Sequence, residues 1–310
     1  VGITYMNATQ GWVPTFDDAV ADVPVAGNSN GIFAYGFITG SSVQNMSNIV
    51  SSAGVIASDV TGVGTARYGV PGCEYGGDKA IIAFGNSDPT NVSTSNLVSN
   101  SGVVATDVTG VGTARLFPGA ANYGLDKGIF AYGYGGGAQS LSNLVSNVGV
   151  VATDTTGVGS ARYYLAACEF GEDKAIFGYG SGYVSMTNLV SSSGVVATDV
   201  TGVGTARGYI AACSYGSDKG IFGYGTTGSA TAITNLVSNV GVVATDTTGV
   251  GTAREALSAC EYGKVKAIFA YGNDGSETSV SNLVSNVGVV ATDVTGVGTA
   301  RRGLAGCSYN

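Results

Sequence analysis

One sequence phrase recurs six times at a nearly fixed interval, and this repetition constrains the fold more than any other feature of the chain. The phrase reads NLVSNVGVVATDTTGVGTAR at residues 235–254, and its aspartate recurs at Asp59, Asp107, Asp154, Asp199, Asp246 and Asp293. The intervals are 48, 47, 45, 47 and 47 residues. Such a period indicates a repeat architecture, in which each unit buries its apolar face against its neighbours. A residue that occurs six times cannot mark a single active site.

A single unit contains the signals of four short strands. Within residues 161–206, short apolar runs are separated by Gly and Ser clusters at 161–171, 173–180, 187–192 and 194–200. Glycine makes up 51 of the 310 residues and charged residues only 11%, which is typical of strands and turns and not of a disordered chain. Four strands in about 47 residues match one propeller blade. The sequence therefore predicts an all-β fold, a six-bladed β-propeller of four-stranded blades over residues 31–310.

The two ends of the repeat region are complementary. The first repeat begins at residues 31–36 with what corresponds to a second strand, and residues 300–309 supply the missing first strand. We therefore expect the C-terminal strand to pair with the N-terminal repeat and close the ring, which leaves no open sheet edge there. Residues 1–30 stand apart, either as an extended linker or as an attachment segment. Because the chain opens on Val1 and not on Met, an N-terminal piece can precede it.

The order of elements in each unit resembles the kelch repeat. An Arg precedes a strand of small residues, then come an apolar strand ending in Gly, a variable loop and a strand ending near an Asp. The usual Gly pair is mostly Tyr-Gly, as at Tyr132-Gly133, and the only Trp, Trp12, lies outside the repeats. The wording DKAIFGYG, SNLVSN and GVVATD more closely resembles propeller-like virion and tail-fibre proteins of bacteriophages, particularly marine ones. That resemblance implies a virion or extracellular location and assembly with other virion or appendage proteins.

The repeated Asp and Arg residues are expected to be structural. The loop Asp154–Gly159 could suggest a calcium site, but the eighth position after each Asp is an Arg, where a calcium loop needs an acid. We expect each Asp to cap its turn and to pair with an Arg of its own or an adjoining unit. The residues concerned are Asp59, Arg67, Asp107, Arg115, Asp154, Arg162, Asp199, Arg207, Asp246, Arg254, Asp293 and Arg301. No metal and no cofactor is expected.

Histidine is absent from the sequence, which removes the commonest general base and most catalytic zinc sites. We predict no catalytic residue. Five cysteines share one repeat position, with Ala121 in the remaining unit, and are interpreted as small buried apolar residues; disulfides or metal ligation are the alternative. A formal charge of −8 without a basic patch argues against nucleic acid as a partner. Apolar runs are too short to span a bilayer, so no membrane partner is expected.

The loops that follow the second strand of each unit differ among the units, and binding surfaces tend to lie on such loops. Candidate binding positions are Asn86, Tyr134, Tyr183, Thr226 and Asn273. Unconstrained drift of loop sequence explains the same variation. Repeated aromatics, such as Tyr35 and Tyr75, suit packing between blades better than a ring that stacks sugars. We expect a non-enzymatic structural or adhesive module of a virion or surface appendage, able to form a homo-oligomer; the alternative is a secreted lectin-like propeller with a glycan receptor.

Overall fold

The computed structural model describes residues 3–7, 11–14, 28–40 and 42–310. This part of the chain forms 20 strands and contains no helix, and hence none that could cross a membrane. In chain order the strands are β1 (Ile3–Asn7), β2 (Gly11–Pro14), β3 (Asn30–Ile38), β4 (Ser42–Val50), β5 (Gly72–Tyr75), β6 (Lys79–Ala83), β7 (Ser95–Val98), β8 (Gly119–Tyr123), β9 (Lys127–Ala131), β10 (Ser142–Val145), β11 (Ala166–Phe170), β12 (Lys174–Gly180), β13 (Val184–Val190), β14 (Ala211–Tyr215), β15 (Lys219–Gly223), β16 (Thr234–Val237), β17 (Ser258–Tyr262), β18 (Lys266–Ala270), β19 (Ser281–Val284) and β20 (Ala305–Tyr309). The all-β prediction is confirmed.

Eighteen of these strands form six antiparallel sheets of three strands each, and β1 and β2 form a separate hairpin. The strand orders are β20-β3-β4, β5-β6-β7, β8-β9-β10, β11-β12-β13, β14-β15-β16 and β17-β18-β19. The strand taken from the C-terminal end, β20, pairs antiparallel with β3 from Ala305 opposite Ala34 to Tyr309 opposite Asn30. The architecture is propeller-like, because one short up-and-down sheet is repeated for each sequence unit.

The prediction of a fourth strand in each sheet was wrong. The segment after β13 makes only two isolated bridges to it, Val190 with Val196 and Thr187 with Val200, and the other five units do the same. Between these bridges β13 advances three residues and the segment four, so one extra residue interrupts the ladder as a β-bulge. The Asn188 side chain fills the gap by donating to the Ala197 carbonyl at 3.0 Å and to Asp199 Oδ1 at 2.9 Å.

The core lies between neighbouring sheets and is built from the middle strands. Phe177 of β12 packs edge-on against Tyr132 of the preceding sheet, with ring centroids 5.4 Å apart, and both side chains are fully buried. The small residues of the first strands allow those strands to contact each other in sequence: β5 with β8, then β11, β14, β17 and β20, and β20 with β5. All five cysteines lie on or beside these first strands, are buried and form no disulfide.

Candidate functional site

The side chain of the repeated Arg is buried and hydrogen-bonds to several parts of its own sheet; we call this set of contacts the Arg tie. Arg162 is 2% exposed, and it donates from Nε to the Tyr179 carbonyl at 2.8 Å, from Nη1 to the Ser160 carbonyl at 3.1 Å and from Nη2 to Asn188 Oδ1 at 2.6 Å. One face of its guanidinium packs over the Tyr132 ring of the preceding sheet, with Cζ 4.3 Å from the ring centroid. The same cation–π contact recurs in all six units at 4.0–4.4 Å.

The repeated Asp holds the loop that carries the Arg. Asp199 accepts hydrogen bonds from the Ser160 backbone N–H at 3.0 Å and from Ser160 Oγ at 2.6 Å, and its Oδ1 lies 3.9 Å from Arg162 Nη1. Partial burial alone would raise the pKa of Asp199, but the bonds from Ser160 and Asn188 and the charge of Arg162 keep that pKa below its ordinary value. Each Arg thus lies near the Asp that follows it in the next repeat, as Arg162 lies near Asp199. It does not lie beside the Asp that precedes it by eight residues.

The Arg sites differ in one unit. Asn282 is fully buried, yet its Oδ1 has no hydrogen-bond partner, and Arg254 Nη2 donates instead to the Phe269 carbonyl at 3.4 Å. The remaining bonds of Arg254, to the Tyr271 and Thr252 carbonyls, match those of the other units. The network therefore tolerates the loss of its Asn contact at one of six places.

Both sets of repeated aromatics are buried. Tyr35 and its equivalents, which precede the strand-ending Gly, are 0% exposed and adopt positive φ, 65° at Tyr35. This left-handed conformation is costly for a bulky residue. Its carbonyl accepts from Arg301 Nε at 2.7 Å, so the conformation belongs to the Arg tie. Tyr75 and its equivalents are 2–4% exposed. Neither set therefore exposes a ring face on which a sugar could stack.

The five predicted loop positions behave in two ways. Asn86 and Thr226 are buried and bond within their own loops, and Asn273 Oδ1 accepts from the Gly275 N–H at 3.1 Å. Tyr134 and Tyr183 are 37% and 47% exposed. The polar positions thus shape the loops, and only the two tyrosines offer a large surface to a partner.

A group of aromatic side chains lies where the first strands begin, and of its members the sequence analysis had named only Tyr134 as a candidate binding position. This aromatic cluster comprises Phe37, Tyr68, Phe117, Tyr134, Tyr163, Tyr164 and Tyr209, each within 6 Å of another member's ring. Tyr164 and Tyr209 stack with centroids 3.5 Å apart and planes at 23°. Phe117, Tyr164 and Tyr209 each lie two residues after the repeat Arg and have φ of 52–58°. The signal was present in the sequence as the variable pair that follows each Arg.

Beneath the aromatic cluster, the first strands line a cavity of about 140 Å³. A second cavity of about 80 Å³ lies at the far ends of these strands, and its lining includes Asn28, which is 2% exposed. The residues common to both cavities are Glu74, Asn122, Glu169, Ser214 and Glu261, and Ser308 lines the first cavity alone. The sequence analysis did not single out these glutamates, because they occur in only half of the repeats.

Comparison with known proteins identifies no relative: no protein-family model matches the chain, and no curated protein matches it. Within the described residues, no three His, Cys, Asp or Glu side chains lie together so that they could hold a metal ion directly.

We expect Arg162→Ala to destabilise the protein by about 1–3 kcal/mol, because it leaves the buried Tyr179 carbonyl and the buried Asn188 Oδ1 without their donor. The free energy of unfolding, measured by denaturant titration, checks this. Lys174→Ala is the matched control, since Lys174 pairs with Asp173 at the surface and its loss should cost less than about 0.5 kcal/mol. Equal effects of the two substitutions would contradict a structural role for the Arg tie.

Proposed function

We propose that the six sheets are the blades of a closed six-bladed β-propeller, which β20 completes by pairing beside β3. Support comes from hydrogen bonds between consecutive sheets. In one set, the Gly that follows the buried Tyr or Phe donates its N–H to the carbonyl of the next repeat Arg at 2.8–3.0 Å: Gly36 to Arg67, Gly85 to Arg115, Gly133 to Arg162, Gly180 to Arg207, Gly225 to Arg254 and Gly272 to Arg301. The last of these links the sixth sheet to the segment that enters β20.

A second set of hydrogen bonds joins the hairpin turns at the far ends of the first strands. The donors and acceptors are Gly76 to Asp126, Gly124 to Asp173, Gly171 to Asp218, Gly216 to Val265, Gly263 to Ser29 and Asn310 to Asp78, all at 2.8–2.9 Å. The bonds of Ser29 and Asn310 connect the sheet that contains both ends of the repeat region to the sheets on either side of it. Every sheet is thereby bonded to two others, which favours a ring over an open superhelix.

If the ring is closed, the amides of β20 should exchange with solvent no faster than those of β11, whose sheet lies between two others. Hydrogen exchange measured by mass spectrometry or NMR reports this directly, since a terminal strand at an open edge frays and exchanges early. Rapid exchange of Ala305–Tyr309 with slow exchange of Ala166–Phe170 would argue for an open arrangement.

We infer that this propeller serves as a non-enzymatic structural or adhesive module of a virion or surface appendage, and its phage character rests on the resemblance of the repeat wording. The observation that carries the proposal is the use of the repeated polar side chains. The Arg, Asn, Asp and Thr or Ser groups of the units bond to the protein itself. The polar side chains common to all blades therefore stabilise the scaffold itself.

The two ends of the scaffold are suited to different partners. Asn28 and Ser29 enter beside Lys264 and Gly263, at the end of the first strands opposite the aromatic cluster. A segment that precedes Asn28 can therefore join another appendage protein while the loops and the aromatic cluster stay available at the other end. Residues 1–30 are the proposed joint to other virion proteins or to copies of the chain, and residues 1–2, 8–10 and 15–27 of this joint lie outside the described residues.

The particle assignment is tested by fractionation. Virus-sized particles purified by density gradient from the source of the chain should contain its peptides, detected by mass spectrometry, after a high-salt wash. Recovery of the chain only from the soluble fraction, or turnover of a substrate by the purified chain that is lost on changing one non-repeated residue, would contradict the proposal.

The aromatic cluster favours the second candidate function, a lectin-like propeller. Exposed aromatic rings held on a rigid frame can stack on the apolar face of a sugar, and Tyr134 contributes a half-exposed ring that packs on Tyr163 at 5.1 Å. If this function holds, glycan-array binding should fall at least about tenfold in Tyr134→Ala, equivalent to ~1.4 kcal/mol. Leu125→Ala is the control, because Leu125 is 69% exposed and lies at the opposite ends of the first strands from the cluster. Equal losses, or no glycan binding at all, would exclude this candidate.

A further inference from the structure

The position that follows the repeat Cys carries an acid in alternate sheets. Around the sheets its occupants are Glu74, Asn122, Glu169, Ser214, Glu261 and Ser308, so three glutamates alternate with three small polar residues. All six line the larger cavity between the first strands, and all except Ser308 also line the smaller one. The sequence therefore repeats every two units as well as every unit. This longer repeat places a carboxyl on the first strand of every second sheet.

A second sequence position follows the same alternation. The second residue of the middle strand is Gly31, Gly128 or Gly220 in the sheets without the acid and Ala80, Ala175 or Ala267 in the sheets with it. A Cβ on Gly128 would lie 2.6 Å from Cys73 Sγ and 3.1 Å from the Glu74 carbonyl oxygen. Cys168 and Cys260 meet Gly220 and Gly31 in the same way. The strands that carry the glutamates therefore leave no room for a side chain at these glycines of the next sheet, and the acids belong to a repeated packing pattern.

The three carboxyls have few partners. Glu261 is 6% exposed and its Oε1 has no hydrogen-bond partner. Asn122 donates to Glu169 Oε2, whereas the Ser308 hydroxyl near Glu74 donates to the Glu261 carbonyl at 3.1 Å. Among the described residues that line the cavities there is no Lys or Arg; Glu172 adds negative charge at the rim, where Asp126 pairs with Lys127 at 2.9 Å. Glu261 is buried and Glu74 and Glu169 are partly buried, and carboxylates withdrawn from water without a counter-charge are unfavourable in a folded protein.

Burial also changes the protonation of these groups. Burial raises the pKa of the Glu74 carboxyl to about 7, although the polar side chains of Ser308 and Asn28 nearby lower this pKa. Burial and then the charge of Glu74 raise the pKa of Glu169 and of Glu261 well above the ordinary value of a glutamate. A raised folded-state pKa means that folding is favoured while the groups are protonated, and that this stability is lost as the pH rises through about 7.

We propose that Glu74, Glu169 and Glu261 form a binding site for a small cation in the cavities that they line. The cation supplies the positive charge that the surrounding side chains do not. Since no three acids in the described part of the chain can ligate one metal ion directly, the cation brings its own hydrogen-bond donors, as a hydrated metal ion or as an ammonium group. The smaller cavity, about 80 Å³, has the volume of about two to three water molecules, which limits the size of such a cation.

The test measures the melting temperature of the full chain, stripped with EDTA, at matched ionic strength in salts of a large tetraalkylammonium ion, sodium, ammonium, magnesium or calcium. At about pH 8 the cation that fits should raise the melting temperature by about 5 °C at 100 times its Kd, and at about pH 5 by much less, because the carboxyls are then protonated. Ammonium and the metal ions are separate arms, and they distinguish the two sources of the same charge.

Two variants make the result specific. Glu74→Gln, Glu169→Gln and Glu261→Gln together remove the charge and keep the shape, so this triple variant should show no cation-dependent shift. Without a bound cation it should also melt above the wild type at about pH 8. The control triple, Asp88→Asn, Glu255→Gln and Asp274→Asn, removes three acids that do not line either cavity, and it should keep the shift. The proposal is overturned if no cation shifts the wild type, or if the shift persists in the glutamine triple.

Discussion

The buried guanidinium group of each repeat is the interaction on which the rest of the structure depends. Removing an Arg from water is costly, and the cost is offset only when its donors are satisfied and its charge is balanced. Arg162 meets this condition with two carbonyls, an Asn, a nearby Asp and a Tyr ring from the preceding sheet. Because these partners come from the loop, both later strands and the neighbouring sheet, one side chain fixes the relative position of all four.

The same interaction explains two departures from regular sheet geometry. The left-handed Tyr179 turns its carbonyl toward Arg162 Nε, and the bulge after β13 brings Asp199 to the loop that carries Ser160. A regular fourth strand would carry the aspartate past this loop. The strained backbone of Tyr179 and the strand hydrogen bonds lost at the bulge are therefore local destabilising effects that accompany the Arg contacts. Each of the six units repeats them.

The sequence contained enough information for the class of fold and for the first three strands of each sheet, because strand runs and Gly punctuation recur with every unit. It did not reveal the bulge between Val196 and Val200, because one extra residue in so short a run leaves too few positions to show a break in the alternation. The Arg partners were also ambiguous, because Asp154 lies eight residues before Arg162 in sequence while Asp199 lies beside it in space. Glu74 and its equivalents were missed because aligning every unit with the next conceals a pattern that repeats every second unit.

The antiparallel pairing of β20 with β3 determines how the scaffold responds to mechanical force. Asn30 and Tyr309 are paired at one end of the two strands, and Ser29 Oγ lies 2.6 Å from the Asn310 carbonyl oxygen. A tension applied between these two points would break the strand pair one hydrogen bond at a time, which is the weak direction of a hairpin. A tension transmitted through one of these two points alone does not pull the two strands apart at this end.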